Sequence, residues 1–250
     1  MYNRLFLGNK LVRLKEVDST NSYLKNLLSL SSNEVEGLVV VAENQVAGRG
    51  QQGSVWESEA GKNLTFSIFL KPNVLIQNQF LISKVISLGI IEFLTDLGLG
   101  MLKIKWPNDI YCGNKKIGGI LIENTIKSNK ISSAIVGIGL NVNQSKFNSE
   151  NLPTSIALEL NNNKLNLEDL LSRLLFFIEK NYTNLKLGKE GVINSNYLDN
   201  LYWINEFRSF RKGKELLEGT IVGVDKIGKI QLKIEGEIET FGLKEIVFFK

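Results

Sequence analysis

The spacing of hydrophobic positions changes several times along the chain, and each change marks an element. Leu11 to Lys15 alternates as a short strand does. Asp18-Ser19-Thr20-Asn21 supplies helix-capping side chains ahead of Tyr23, Leu24, Leu27 and Leu28, which share one helical face. Leu38 to Ala42 is an unbroken apolar run with three valines, the pattern of a buried strand. The stretch from Glu43 to Gly61 is polar and glycine-rich, and Leu64 to Leu70 reads as the next strand. Leu81, Val85, Ile86, Ile90, Phe93, Leu94 and Leu97 predict a helix over Phe80 to Leu97, ended by Gly98 and Gly100. Leu102 to Trp106 and Ile117 to Glu123 read as strands, joined through Pro107-Asn108-Asp109 and the turn Gly113-Asn114-Lys115. Ile131 to Asn143 is a third apolar strand of this region. Asn166, with Asp169 three residues on, caps a helix through Leu170, Leu171, Leu174, Leu175 and Ile178.

From about Phe207 the pattern becomes short strands with turn signals. Thr220 to Val224, Lys229 to Ile234 and Glu237 to Phe241 are separated by Asp225 to Gly228 and by Glu235-Gly236. The expected organisation is therefore α+β, with a larger domain over residues 1–205 and a small all-β barrel over 206–250.

Composition narrows the chemistry. With 250 residues, 43% hydrophobic and 22% charged, the chain can bury an ordinary core. Lys and Arg number 30 against 26 Asp and Glu, and they are scattered, so the charge of +4 does not argue for a nucleic-acid partner. The single cysteine, Cys112, excludes an internal disulfide and a thiolate metal cluster. There is no histidine, which excludes every mechanism that needs an imidazole. The N-terminus lacks a basic segment followed by an apolar run, and apolar runs such as Leu174 to Ile178 fall short of a membrane span. The expectation is a cytoplasmic protein with no membrane partner.

Three stretches carry candidate chemistry. Gln45-Val46-Ala47-Gly48-Arg49-Gly50-Gln51-Gln52-Gly53 follows a buried strand, and Trp56 lies just beyond. Glycines let backbone N–H groups face an anion, and Arg49 adds a forked donor. A flexible surface loop with an incidental arginine accounts for the same residues, and no P-loop Gly-Lys-Ser/Thr is present. Lys105-Trp106-Pro107-Asn108-Asp109 is followed by Lys116-Ile117-Gly118-Gly119-Ile120-Leu121-Ile122-Glu123. A plain hairpin explains Pro107 and Gly113 but not two glycines inside a strand, which call for a close approach by a backbone or ligand. Lys116, two residues before them, is then placed to point a cation into a pocket. In Gly137-Ile138-Gly139-Leu140-Asn141, glycines again interrupt an apolar strand, and Asn141 offers an amide where it ends.

In this order and at these spacings, the stretches resemble the successive motifs of biotin protein ligases. Asp18-Ser19-Thr20-Asn21 is similar to that family's early motif, and Gly223-Val224-Asp225 with Gly228 is similar to its C-terminal domain. The resemblance spans nearly the whole chain. It implies a mixed sheet with helices, of the class II aminoacyl-tRNA synthetase type, followed by an SH3-like barrel. It also implies activation of biotin by ATP-Mg2+ to biotinyl-AMP, then transfer to a lysine of a biotin carboxyl carrier protein. The resemblance assigns the biotin site to Ser19, Thr20, Asn21, Gln45, Gly48, Arg49, Gly50, Gln51, Thr65, Ser67, Lys116, Gly119 and Gly137. It assigns the nucleotide to Arg49, Gln51, Trp56, Asn108, Lys116 and Asn141. Catalysis falls to Lys116, Arg49 and Asp109, the last positioning or deprotonating the carrier lysine. The family reaction needs magnesium with the triphosphate, and the sequence offers no metal-ligand cluster of its own.

The chain departs from the pattern in two places. Gln51-Gln52 stands where many members have two arginines, which puts retention of the adenylate in question. Phe249 stands where some members have a basic residue near the chain end. Too little chain precedes Asp18 for a helix-turn-helix, so DNA binding is not expected. Homodimerisation, as in many relatives, stays open. The loop from Gln45 to Glu57 is expected to be mobile when empty and to order over its ligands. Two other readings stand beside this one: a lipoate–protein ligase of the same fold, and a non-catalytic sensor of biotin or adenylate. Retention of Lys116 weighs against the sensor.

Overall fold

Residues 3–30, 35–147, 152–162 and 164–249 are described by a computed structural model. The chain runs β1 (Leu11–Val17), α1 (Thr20–Ser29), β2 (Val39–Gln45), β3 (Leu64–Leu70), β4 (Val74–Leu75), α2 (Phe80–Asp96), β5 (Leu102–Lys105), β6 (Asp109–Cys112), β7 (Lys115–Lys127), β8 (Lys130–Leu140), α3 (Ile156–Glu159), α4 (Leu167–Lys186) and α5 (Glu190–Asp199). Five further strands follow: β9 (Phe207–Lys212), β10 (Glu215–Val224), β11 (Ile230–Ile234), β12 (Glu237–Phe241) and β13 (Val247–Phe248).

The first eight strands form one mixed sheet in the order β1-β2-β3-β8-β7-β6-β5, with β4 also on β8. Only β1 and β2 run parallel; the other neighbours are antiparallel. One face carries Phe66 and Ile68 of β3, Ile120 of β7 and Val136 and Ile138 of β8, all buried. α2 and α4 join these side chains in one continuous core. The other face meets α1, whose Leu24 packs with Val40 and Phe69 in a smaller cluster. The sheet is thus covered on both sides, and β3 reads as an apolar run for that reason.

Several predicted elements have the expected bounds within a few residues. The segment between β5 and β7, expected as a bend and turn, contains a further strand. Asp109–Cys112 pairs with both neighbours, so its backbone groups are satisfied inside the sheet. The short α3 and the helix α5 were not indicated by the hydrophobic pattern. The stretch Ile76–Asp96 is long and apolar enough to cross a membrane, contrary to the expectation that apolar runs fall short of one. Most of it is buried within the protein, as the central helix of the core.

The last five strands form a second sheet, β12-β11-β10-β9-β13. It fits an SH3-like module, but it is open: β13 is only two residues long and pairs with β9. The two sheets meet at a seam. Tyr202 stacks on Trp203 at 5.0 Å, and Trp203, Phe210 and Phe248 pack behind it. Trp106 Nε1 donates to the Gly228 carbonyl across the seam at 2.8 Å.

Lys84 of α2 is buried at the same seam, donating to Asn194 Oδ1 at 2.8 Å and lying over the rings of Phe80 and Tyr197. Burial lowers its pKa from 10.5 to about 8, against an opposing pull from the Asp225 carboxylate. The unfolded chain therefore binds the proton more tightly, so this group's contribution to stability is least below pH 8 and rises up to 10.5. Urea unfolding of wild type and Lys84→Met between pH 7.5 and 10.5 measures this. The wild type is expected to gain stability relative to the variant as pH rises, and a pH-independent difference would contradict it.

Candidate active site

A cleft of about 740 Å³, counting its open mouth, lies on the α1 side of the large sheet. Its floor comes from the strand register. Thr65, Gly139, Gly119 and Asp109 are successive cross-strand partners, and Ser67, Gly137 and Leu121 form the next row. The three glycines strip the side chains from the middle of this face. What lies against two of them explains why no larger residue stands there. A Cβ on Gly137 would come within 2.5 Å of Asn21 Oδ1, and one on Gly139 within 2.3 Å of the Trp56 ring.

Lys116 reaches this face because β7 is bulged. Gly118 faces Ile110 and Lys116 faces Tyr111, leaving Ile117 without an opposite residue. Strict alternation from Gly119 would turn Lys116 to the other face. The extra residue sends Ile117 into the core, fully buried, and turns Lys116 into the cleft. The backbone of Lys116 is clamped on one edge, its N–H donating to Leu152 and its carbonyl accepting from Thr154. The Lys116 ammonium lies 2.7 Å from Asp109 Oδ1 and 5.7 Å from the centre of a Trp56 ring. Asp109 opens β6 directly after Asn108, whose side-chain amide donates to the Ile120 carbonyl at 2.6 Å.

The opposite wall is a chain of polar side chains. Gln45 Oε1 accepts from the Thr20 N–H at 2.8 Å and lies 3.0 Å from Thr20 Oγ1. Ser67 Oγ lies 2.7 Å from Thr20 Oγ1 and 2.6 Å from Asn21 Oδ1. Asn21 Nδ2 donates to Glu123 Oε2 at 2.7 Å, and Arg49 Nη2 donates to the same oxygen at 3.1 Å. Ser19 occupies the N-cap position of α1, yet its side chain makes no capping bond and faces the cleft. Residues 45–57 form a closed hairpin over this wall: Arg49 bridges Val55, and the Trp56 N–H donates to the Gly48 carbonyl. Trp56 Nε1 is sealed from solvent with no hydrogen-bond partner among the described residues. A sealed, unpaired donor costs about 1–3 kcal/mol.

Most of the residues expected at a site converge here. Ser19, Thr20, Asn21, Gln45, Arg49, Gly50, Gln51, Trp56, Asn108, Asp109, Lys116, Gly119 and Gly137 line the cleft. Gly48, Thr65, Ser67 and Asn141 do not line it. Gly48 lets the hairpin close, since a Cβ there would strike the Trp56 carbonyl at 2.3 Å. The Thr65 hydroxyl donates to the Ala42 carbonyl, and Ser67 is fully buried behind Thr20 and Asn21. Asn141 was expected to face a nucleotide. Its amide instead donates to the Thr154 carbonyl at 2.9 Å, bracing the segment that clamps Lys116. Phe249 lies on the second sheet beneath the Arg211 guanidinium, outside the cleft lining.

One side chain of the cleft face was not singled out from the sequence: Glu123. The two-residue period from Gly119 through Leu121 puts it on the cleft face, and it is the carboxylate that holds both Arg49 and Asn21. Each cation of the cleft thus has an acidic partner, Arg49 with Glu123 and Lys116 with Asp109. Cys112 is buried, and its thiol is pushed up to about 11 by burial and by Glu159, so it supplies no nucleophile. Among the described residues, no group of three or more acidic or thiol ligands is arranged to hold a metal.

Comparison with known proteins bears on this arrangement. The model of the Biotin/lipoate A/B protein ligase family matches residues 14–141, which include every cleft residue named above. The chain is 32% identical over 150 residues to the bifunctional ligase/repressor BirA of Bacillus spizizenii, covering 60% of this chain and 45% of that protein. It is 33% identical over 132 residues to a biotin–[acetyl-CoA-carboxylase] ligase of Paracoccus denitrificans, covering 52% and 53% of the two chains. The chain thus matches about half the length of these relatives. The structure superposes on biotin protein ligase from Aquifex aeolicus in complex with biotin and ATP with a TM-score of 0.77 at 28% identity, covering 97% of this chain and 99% of that one.

The contact between Gly139 and Trp56 is directly testable. Gly139→Ala is expected to push the indole off the floor, raising acrylamide quenching and shifting tryptophan emission to the red. The overlap should also lower stability by about 1–3 kcal/mol. Trp56→Phe identifies the signal among the three tryptophans. Emission unchanged by Gly139→Ala would mean that the ring does not rest on Gly139.

Proposed function

The chain belongs to the Biotin/lipoate A/B protein ligase family, and on that premise we propose that it is an ATP-dependent biotin–protein ligase that forms biotinyl-5'-AMP and passes biotin to a lysine of a biotin carboxyl carrier protein. The observation that carries this reading is the pairing of Lys116 with Asp109 at 2.7 Å on a floor of strand glycines, facing Arg49.

In the first step a biotin carboxylate oxygen attacks the α-phosphorus of ATP, and the bond to the bridging oxygen breaks, releasing pyrophosphate. Two anions must meet, so the barrier is largely electrostatic. Arg49, released from Glu123, is suited to hold the carboxylate by its forked donors. The Lys116 ammonium between carboxylate and α-phosphate offsets the charge that builds up in the transition state. Thr20, Asn21, Gln45 and Ser19 offer fixed donors and acceptors for the ureido ring. Leu121 and the glycine floor supply the apolar contact. Magnesium enters as part of the ATP substrate.

In the second step a carrier lysine attacks the acyl carbon of the mixed anhydride, and AMP leaves with the bonding pair. The attacking amine must lose a proton, and Asp109 is the carboxylate beside the cleft able to accept it or to hold the amine in line. The indole of Trp56 offers an aromatic face for adenine, and closure of the 45–57 hairpin would keep water from the anhydride. Gln51 brings hydrogen bonds but no charge to this hairpin, which favours looser retention of the adenylate than in members with arginine there.

Pyrophosphate release from ATP with biotin or lipoate as the acid tests the reading. Biotin-dependent release that falls about 100-fold or more in Lys116→Ala is expected. Release with lipoate alone would move the assignment to a lipoate ligase, and release with neither would point to a sensor. Hydrogen exchange over residues 45–57 should slow when biotin and ATP are added together. Exchange unchanged by both would count against closure.

A further inference from the structure

The bend that delivers Asp109 to the cleft is held from two sides. On the side of the large sheet, the Asn108 amide donates to the Ile120 carbonyl, and the Ile120 N–H donates to the Asn108 carbonyl at 3.0 Å. On the other side, Trp106 is buried, with only 4% of its surface exposed, and its Nε1 donates to the Gly228 carbonyl in the second sheet. Trp106 comes three residues before Asp109, with Pro107 between, so little chain slack separates the anchor from the carboxylate.

The acceptor is held rigidly. Asp225 Oδ1 accepts from the N–H groups of Ile227, Gly228 and Lys229 at 3.0, 2.8 and 2.8 Å, closing residues 225–229 into a tight turn. Gly228 has a φ of +105°, and a Cβ there would come within 2.6 Å of the Phe80 ring. No side chain fits between the turn and α2, so the Gly228 carbonyl is brought close against the large sheet and aimed at Trp106. Lys84, one helical turn beyond Phe80, faces Asp225 and adds an electrostatic tie at the same place.

We propose that Trp106 and Gly228 are positioning residues through which the turn 225–229 of the C-terminal sheet sets the placement of Asp109, and so the rate of transfer to the carrier lysine. The inference rests on the role given to Asp109 in the proposed function. It assigns the two half-reactions different dependence on the second sheet. Arg49 is held by the 45–57 hairpin and Glu123, and the Lys116 backbone by Leu152 and Thr154, through hydrogen bonds that do not involve the turn. Asp109 follows directly from the bend that the turn anchors, and the Lys116 ammonium only through its pair with Asp109.

The test uses the full chain and measures the half-reactions apart: pyrophosphate release with biotin and ATP, and single-turnover transfer from enzyme-held biotinyl-AMP to an unmodified biotin carboxyl carrier domain. Trp106→Phe keeps an aromatic ring, smaller than the indole, and removes the donor. Gly228→Ala disturbs the same contact from the other sheet. Each is expected to slow transfer about tenfold more than pyrophosphate release, as misplacing a reacting group by a fraction of an ångström does. In an Asp109→Asn background, Trp106→Phe should have almost no further effect on transfer, because its action passes through that carboxylate. Equal slowing of both half-reactions, no slowing, or an undiminished effect in the Asp109→Asn background would overturn the proposal. Should Trp106→Phe fail to fold, Gly228→Ala alone and with Asp109→Asn carries the same comparison. Wild type that releases no pyrophosphate with biotin would instead remove the functional reading beneath it.

Discussion

The arrangement of the cleft depends on one irregularity in one strand. β7 carries a run of apolar residues whose faces must match the core, and Lys116 stands at the wrong parity to share a face with Gly119. The bulge at Ile117 resolves the conflict. Ile117 enters the core with nothing exposed, and the cation turns to meet Asp109. A bulge loosens the ladder locally, and the compensation is visible: the freed edge of Lys116 is bound by Leu152 and Thr154, and Asn141 ties that segment back to the end of β8. The pairing of cation and carboxylate is therefore a property of the backbone register, supported by residues that never enter the cleft.

The cleft itself is made by omission. One face of the sheet is a filled core, and the other becomes a site where glycines at 119, 137 and 139 remove side chains from adjacent strands. Strand alternation puts Thr65, Ser67 and Glu123 on the same face as those glycines, behind the side chains that line the cleft. Buried polar side chains are costly unless paired, and here they form an unbroken chain from Gln45 to Arg49. That chain links the start of α1, the hairpin and the end of β7, and it carries the Arg49–Glu123 pair, while Lys116 and Asp109 are held by the bulge and the bend.

Much of this was legible in the sequence. Long periodic segments such as Leu64 to Leu70 and Phe80 to Leu97 declare themselves by hydrophobic spacing, and the glycine pairs in apolar strands signal a close approach from above. Three features were not legible for physical reasons. The strand Asp109–Cys112 is too short and too close to turn residues to stand out locally, and it exists because two neighbours supply its hydrogen bonds. The bulge leaves no mark in composition, since either face of β7 accepts isoleucine. Asn141 and Glu123 exchanged expectations for the same reason. An amide at a strand end looks available until Thr154 is folded against it, and a carboxylate at the end of a motif looks solvated until Asn21 and Arg49 converge on it.

A floor made of backbone has a consequence for how such a protein can change. The cavity over residues 119, 137 and 139 is already as deep as the sheet allows, because nothing smaller than glycine can replace glycine. Substitutions there can only make it shallower. Any variant selected to accept a bulkier acid must gain its room from the side chains laid against the glycines, where Trp56 and the hairpin around it can be shortened or reshaped. The evolvable part of the specificity therefore lies in the loop, while the strands fix its limit.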